Sequence, residues 1–312
     1  GAVALFAVWH DAFPHWGECA WWSLFHAVSA FCNAGLSLWD NSLHAWVDRP
    51  DVWGIFVVLI RLGSLGFFVL VDLAGSWVGP GGNGPRAVWR RLHTQTKVVL
   101  TGMLLLDVVG FALFWLLENK GVLALLPQGA RAQAALFQSI TLRSAGLQTI
   151  SLEELSASTA LLCSLWMFIG AAPGSTGGGV KITTVVIAAV AVRALLSEQG
   201  EVQLFGRRVA GALVNRSLVI VLLAVGVVVT AVFILATTEN FPLRVLLFEA
   251  VSAGTTTGLS MGVTSQLTSV GQFVLIGMMF IGRIGPLTLA LAVGEREKPV
   301  AYRYPLTRIA VG

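Results

Sequence analysis

Long apolar blocks alternate with short polar stretches along this chain of 312 residues. Residues 98–117 and 218–236 are nearly free of charge. Each is close to the roughly 20 residues that cross a bilayer as a helix. Further apolar blocks lie at about 52–73, 158–192 and 272–293. Each of these follows an amphipathic segment of about ten residues, too short to span. The pattern predicts a unit of outward span, short helix with a loop, and inward span.

That unit recurs. Phe25-His26-Ala27-Val28-Ser29-Ala30-Phe31-Cys32-Asn33-Ala34-Gly35-Leu36 aligns with two later segments. They are Phe137-Gln138-Ser139-Ile140-Thr141-Leu142-Arg143-Ser144-Ala145-Gly146-Leu147, and Phe248-Glu249-Ala250-Val251-Ser252-Ala253-Gly254-Thr255-Thr256-Thr257-Gly258-Leu259. From Gly35 to Gly146 is 111 residues and from Gly146 to Gly258 is 112, a period that chance does not keep. The expected division is a unit over 1–75, a unit over 98–193, a unit over 215–294, and a cytoplasmic tail over 295–312. The chain opens on Gly1, and 3–8 reads as the tail of a longer apolar span, so the first of these units is expected to be short of its start.

Composition settles the class. The chain is 56% hydrophobic and 12% charged, against about 25% charged in a soluble domain. Charge location gives orientation. Residues 75–97, 193–216 and 294–312 hold twelve of the twenty Lys and Arg, with four acids. The positive-inside rule puts them in the cytoplasm. The acids between them, among them Asp40, Glu118 and Glu239, then face outward. Both ends of each short segment lie outside, so the segment dips in and returns. Irregular backbone at that depth has to line an enclosed or water-filled path. The basic loops are short and flank spans, so nucleic acid is not an expected partner. Cys19, Cys32 and Cys163 follow no metal or disulfide spacing, and no signal peptide is visible.

A loop of this kind can select an ion. Dehydrated cations need several oxygens, which backbone carbonyls supply. Turning successive carbonyls the same way needs dihedrals that glycine reaches without steric cost, hence Gly35, Gly146 and Gly258. The negative end of the short helix faces the same point. Glu249, inside a short helix, is expected to hold its loop from behind.

At these residues the chain resembles the Trk/Ktr/HKT superfamily of potassium transporters, over nearly its whole length. The three loops are similar to the family's second, third and fourth filter loops. Met167-Phe168-Ile169-Gly170-Ala171-Ala172-Pro173-Gly174-Ser175-Thr176-Gly177-Gly178-Gly179-Val180-Lys181 is similar to its most specific motif. Met279-Phe280-Ile281-Gly282-Arg283-Ile284-Gly285-Pro286 is similar to the last inner helix, and the end from Tyr304 leans towards the Ktr branch. The resemblance implies an all-α membrane protein of tandem helix–pore-loop–helix repeats around a pseudo-four-fold pore. Three of the four repeats are present and the first is expected to precede them.

It implies potassium uptake across a bacterial plasma membrane by a multi-pass protein that is not an enzyme. Potassium would bind at Cys32, Asn33, Ala34, Gly35, Arg143, Ser144, Ala145, Gly146, Thr255, Thr256, Thr257 and Gly258. The transported ion is potassium, with sodium as a further candidate, and no cofactor is expected in this chain. The implied partners are a second copy, membrane lipid and a cytoplasmic nucleotide-binding regulatory subunit of the KtrA/TrkA type.

A gate is expected beneath the filter. Pro173, Gly174, Ser175, Thr176, Gly177, Gly178 and Gly179 break the inner helix of the middle unit, and in the family this loop obstructs the pore. Little but backbone contacts should hold it. Arg61, 26 residues past Gly35, and Arg283, 25 past Gly258, count to the same depth. Intramembrane arginines are costly and usually functional. Arg283 is expected to donate to the loop's carbonyls, and Lys181 to add a positive barrier. Asp107, mid-span, is open to two readings, an ion-pair partner for an arginine or a sodium ligand; Asp72 is the other acid that reads as buried. His10, His15, His26 and His44 carry no metal spacing, and the tryptophans of 9–22 and 39–53 fit an interfacial belt.

Competing readings remain. One is an alternating-access cation symporter coupled to sodium or protons, since repeats and broken helices occur there too. An intramembrane enzyme would need a nucleophile and base at depth, and the inner spans hold no histidine. The string from Gly174 to Lys181 departs from a phosphate-binding loop, because Val180 separates Gly179 from Lys181.

Overall fold

The computed structural model describes residues 1–78, 84–197 and 201–285. The 295–312 tail, the end of the last inward span and the Tyr304 segment lie outside the described residues. Among the described residues the regular elements are helices, apart from a hairpin of two-residue strands (β1, Gln203–Leu204; β2, Arg207–Arg208) and an isolated bridge between Ile169 and Val180.

In chain order the first unit has α1 (Ala2–Trp9), the short helix α2 (Trp16–Phe31), α3 (Pro50–Leu65) and α4 (Phe67–Val78). A connector, α5 (Pro85–Arg91), leads to the middle unit: α6 (Thr94–Glu118), the short helix α7 (Gln128–Thr141), α8 (Ala157–Phe168) and α9 (Ile182–Leu196). The last unit has α10 (Gly211–Thr238), the short helix α11 (Leu243–Gly254) and α12 (Ser269–Ile284). Proline at the first turn starts α3. Side-chain caps start α8 and α12, where Ser156 Oγ accepts from the Thr159 amide and Thr268 Oγ1 from the Gly271 amide.

Helices α6 and α10 are long and apolar enough to span a membrane. The C-terminal end of each is tied to the start of the helix that follows the short helix of its own unit. Glu118 accepts from the Ser156 amide at 3.1 Å, and Glu239 accepts from the Thr268 hydroxyl at 2.5 Å and its amide at 3.1 Å. These donors, the hydroxyl first, hold the Glu239 carboxyl below the usual glutamate range.

The inward span of the first unit is not the straight helix that its apolar run suggests. It turns by 99° between α3 and α4. Gly66 makes the turn at φ +80° and ψ 153°, dihedrals open to glycine alone. The inward span of the middle unit breaks where expected, between α8 and α9.

The middle unit sits between the other two, with α7 packed on α3, α8 on α11, and α9 on α10. Its short helix is therefore buried along most of its length, and its core includes Phe114, Leu123, Leu142, Met167 and Phe248. The tryptophans of the first unit divide. Trp16 and Trp21 are exposed, as a belt requires, while Trp9 is fully buried. Trp9 lies 5.0 Å from Trp39, 5.5 Å from Trp46 and 5.5 Å from His26 between ring centroids. This part of the expected belt is a packed cluster around a histidine.

Candidate functional site

The loops that follow α2, α7 and α11 adopt one backbone conformation three times. In each, a left-handed residue precedes the left-handed glycine by two positions. The pairs are Asn33 (φ 50°) with Gly35 (φ 69°), Ser144 (62°) with Gly146 (76°), and Thr256 (52°) with Gly258 (85°). Ala34, Ala145 and Thr257 between them keep negative φ. Alternating handedness turns successive carbonyls to one side, and a β-branched Thr256 at positive φ is held there against its own preference.

The three loops meet. A methyl group added at Gly146 would overlap the Thr257 carbonyl oxygen and lie 2.8 Å from Gly35 Cα. One added at Gly258 would come within 3.9 Å of the Ala34 carbonyl oxygen. Residues 141–147 are all buried, whereas Cys32, Ala34 and Gly258 are exposed, because only the middle loop has a neighbour on both sides. Thr255 and Thr257 bond each other at 2.8 Å through their hydroxyls, and the Thr255 carbonyl accepts from Ser144 Oγ of the middle loop at 3.3 Å.

Each loop is held from behind by its short helix. Glu249 accepts from Ser260 Oγ (2.7 Å), the Met261 amide (2.8 Å) and Thr264 Oγ1 (2.8 Å), as its position suggested. His26, assigned no chemistry from sequence, occupies the same place in the first unit. Its Nε2 lies 3.3 Å from Ser37 Oγ and accepts from the Leu38 amide at 3.3 Å. The alignment of Phe25-His26 with Phe248-Glu249 carried that signal. In the middle unit Gln138 stands there, fully buried with its amide unpartnered among the described residues. Ser29 and Thr141 also act alike, donating to the Leu36 and Leu147 carbonyls at 2.7 and 2.5 Å.

Beneath this meeting point runs the glycine-rich segment 173–179. The helix ends on either side satisfy one another: the Gly170 amide donates to Val180 O (2.9 Å) and the Val180 amide to Phe168 O (3.2 Å). Glycine is needed because backbones touch. A methyl group at Gly178 would overlap Thr256 Oγ1, and one at Gly177 would lie 3.2 Å from Ser144 Cβ. The segment is held by far more than backbone, contrary to the sequence expectation. Asn33 Nδ2 donates to Thr176 Oγ1 at 2.7 Å, and that hydroxyl lies 3.2 Å from both the Phe31 and the Gly63 carbonyl oxygens. Lys181 Nζ donates to Gly177 O (2.6 Å) and Arg283 Nη1 to Thr176 O (2.8 Å). The Ala172 and Thr176 amides donate to Ser64 O and Gly63 O, and the Phe67 amide donates to Gly174 O. The left-handed residue of every loop, Asn33, Ser144 and Thr256, therefore faces this segment.

The two arginines counted to one depth are separated by the structure. Gly63 and Gly282 are the equivalent positions, since a methyl group on either would overlap a carbonyl of its short helix, Phe31 O or Gly254 O. Arg61 precedes Gly63 by two residues, and Arg283 follows Gly282. The count failed because α3 starts 15 residues after Gly35 and α12 starts 11 after Gly258, a difference of four. Arg61 instead forms an ion pair with Asp107, which also binds Arg143 at 2.6 Å. The structure thus places Asp107 as an ion-pair partner, for two arginines at once.

Comparison with known proteins fixes the family. A family model described as TrkH, cation transport protein, matches residues 1–299. The chain belongs to the TrkH cation transport family. The Ktr system potassium uptake protein B of Vibrio alginolyticus is 36% identical over 299 residues, covering 95% of this chain and 64% of that protein. The potassium/sodium uptake protein NtpJ of Enterococcus hirae is 36% identical over 323 residues, covering all of this chain and 68% of its own. The crystal structure of the potassium transporter TrkH from Vibrio parahaemolyticus shares the fold, with a TM-score of 0.73 at 19% identity, over 94% of this chain and 61% of that one. This chain thus spans somewhat under two thirds of the Vibrio relatives. As a TrkH-family chain with apolar spans, it is a multi-pass cell-membrane protein of helical fold.

Proposed function

We propose that this chain lines a pore for potassium uptake, with residues 32–35, 143–146 and 255–258 forming walls of a selectivity filter. The observation that carries this reading is the left-handed pair repeated in all three loops where they meet. Carbonyls turned one way can replace a cation's hydration shell. The units over 1–75, 98–193 and 215–294 then act as pore walls, and the chain moves ions without catalysing a reaction. The segment 173–179 is the gate: it crosses directly beneath the loops, fastened by Arg283 and Lys181. The relatives' names support potassium as the ion, and that of NtpJ adds sodium as an ion to test beside it. The word system in the Ktr name fits work with a further component. We assign that role to a cytoplasmic nucleotide-binding subunit of the KtrA/TrkA type, acting on a homodimer.

The test is expression of the native protein in bacteria that lack potassium uptake. Growth at low potassium and rubidium entry that continues without a sodium or proton gradient are expected. Entry that requires sodium or protons would favour the symporter reading. Membrane-inserted, folded protein that moves no cation would overturn both.

A further inference from the structure

A largely buried charge cluster stands behind the middle loop. Arg143, within that loop, is 2% exposed, and its Nη2 donates to Asp107 Oδ1 at 2.6 Å. The other carboxylate oxygen, Oδ2, pairs with Arg61 of α3. Arg143 Nε and Nη1 are buried with no partner among the described residues. One carboxylate therefore faces two guanidiniums, which leaves the cluster at +1.

The surroundings fix Asp107 in place. Ser139 Oγ of α7 donates to the Asp107 carbonyl at 3.0 Å, and Trp166 Nε1 of α8 donates to the Leu106 carbonyl at 3.1 Å. Both donors reach the α6 backbone because Gly110 has no side chain. A methyl group there would overlap Ser139 Oγ and lie 2.5 Å from Trp166 Nε1. The backbone that carries Asp107 is thus tied to α7 and α8, while its carboxylate joins Arg143 of the loop and Arg61 of α3.

We infer that Asp107 sets the cation affinity of the middle loop by fixing the net charge of this cluster. The inference rests on the filter reading of residues 143–146. Asp107 is a positioning residue that acts through Arg143. A positive charge behind the filter opposes cation entry, and the carboxylate cancels one of the two. In an effective dielectric of about 20, one unit charge about 12 Å from a monovalent cation changes its binding constant roughly tenfold.

The net charge orders the variants. It is +1 in the native cluster, +2 in Asp107→Asn, 0 in Arg61→Gln, and +1 again in the double variant Asp107→Asn/Arg61→Gln. Potassium KM and maximal uptake rate would be measured for all four in proteoliposomes containing the native protein or its variants. KM is expected to rise about tenfold in D107N, to fall about tenfold in R61Q, and to return near the native value in the double variant. A merely structural ion pair predicts the opposite pattern: fewer folded molecules and a lower maximal rate, unchanged KM, and a double variant no better than D107N. That pattern overturns the inference, as does an R61Q whose KM stays at the native value. Should D107N fail to insert, R61Q and the double variant still decide, since the first must lower KM and the second must restore it. Absence of cation uptake by the unaltered protein overturns the filter reading itself, before any variant is compared.

Discussion

The three loops at the meeting point share one conformation, whereas the segment beneath them occurs once and is held by all three units. In the loops, each stretch is shaped by its own short helix, its own glycine and its own backing side chain, such as Glu249 or His26. In the segment 173–179, Lys181 is a local holding group, and others come from elsewhere: Asn33 and Gly63 from the first unit, Arg283 from the last. On the filter and gate roles proposed above, selectivity and gating are built on different kinds of contact. A loop fixed locally can stay rigid while a loop fixed by distant partners is released, because releasing it breaks few bonds within any one unit.

The largest effect should come from Gly146→Ala. Its φ of +76° costs a side chain about 1–2 kcal/mol, and the added methyl overlaps Thr257 O. Potassium uptake should fall at least roughly tenfold with the protein still inserted. Uptake near the native rate would show that the middle loop is not part of the path.

Deleting residues 175–178 tests the other side of the comparison. It removes the Asn33, Arg283 and Gly63 contacts together. Unregulated potassium flux in proteoliposomes should rise at least roughly tenfold, since several bonds of about 1 kcal/mol each are lost. A folded, selective protein with lower flux would make the segment part of the conducting path.

Thr176→Val keeps the segment and removes only the hydroxyl shared by Asn33, Phe31 and Gly63. Losing about 1 kcal/mol of net bonding should raise resting flux roughly fivefold, with the potassium-to-rubidium ratio unchanged. A changed ratio would show that segment and loops are one structural element.

The smallest shift is expected from Gly258→Ala, where the nearest atom to the new methyl is 3.9 Å away. Backbone strain at φ +85° remains, but no clash. The potassium-to-sodium uptake ratio should fall a few-fold, an effect of at most about 1 kcal/mol. A loss as severe as that of Gly146→Ala would mean that the loops act equally despite their unequal burial.

Much of the fold was legible. Three glycines at a fixed period, apolar blocks of spanning length and the glycine-rich run pointed to three short helices ending in like loops and to the break between α8 and α9. The loop positions of Gly35, Gly146 and Gly258 followed, since only glycine takes such dihedrals freely. The left-handed state of Ser144 and Thr256 did not, because neither residue type favours it. The 99° turn at Gly66 hid inside an unbroken apolar run. Counting residues put Arg61 beside Arg283, and a linker longer by four residues undid the count.

What the sequence determined by itself is therefore what each segment does locally: where it is apolar, where it is helical and where a repeated glycine ends its loop. Those properties depend on residue type and near neighbours. Which segments touch was decided only by the tertiary structure. Asn33 meets Thr176 across 143 residues, and Asp107 joins Arg143 across 36 while also holding Arg61. Such pairings depend on linker lengths and on the rotation of one helix against another. A shift of one residue turns a helical side chain by about 100°, and no local pattern records it.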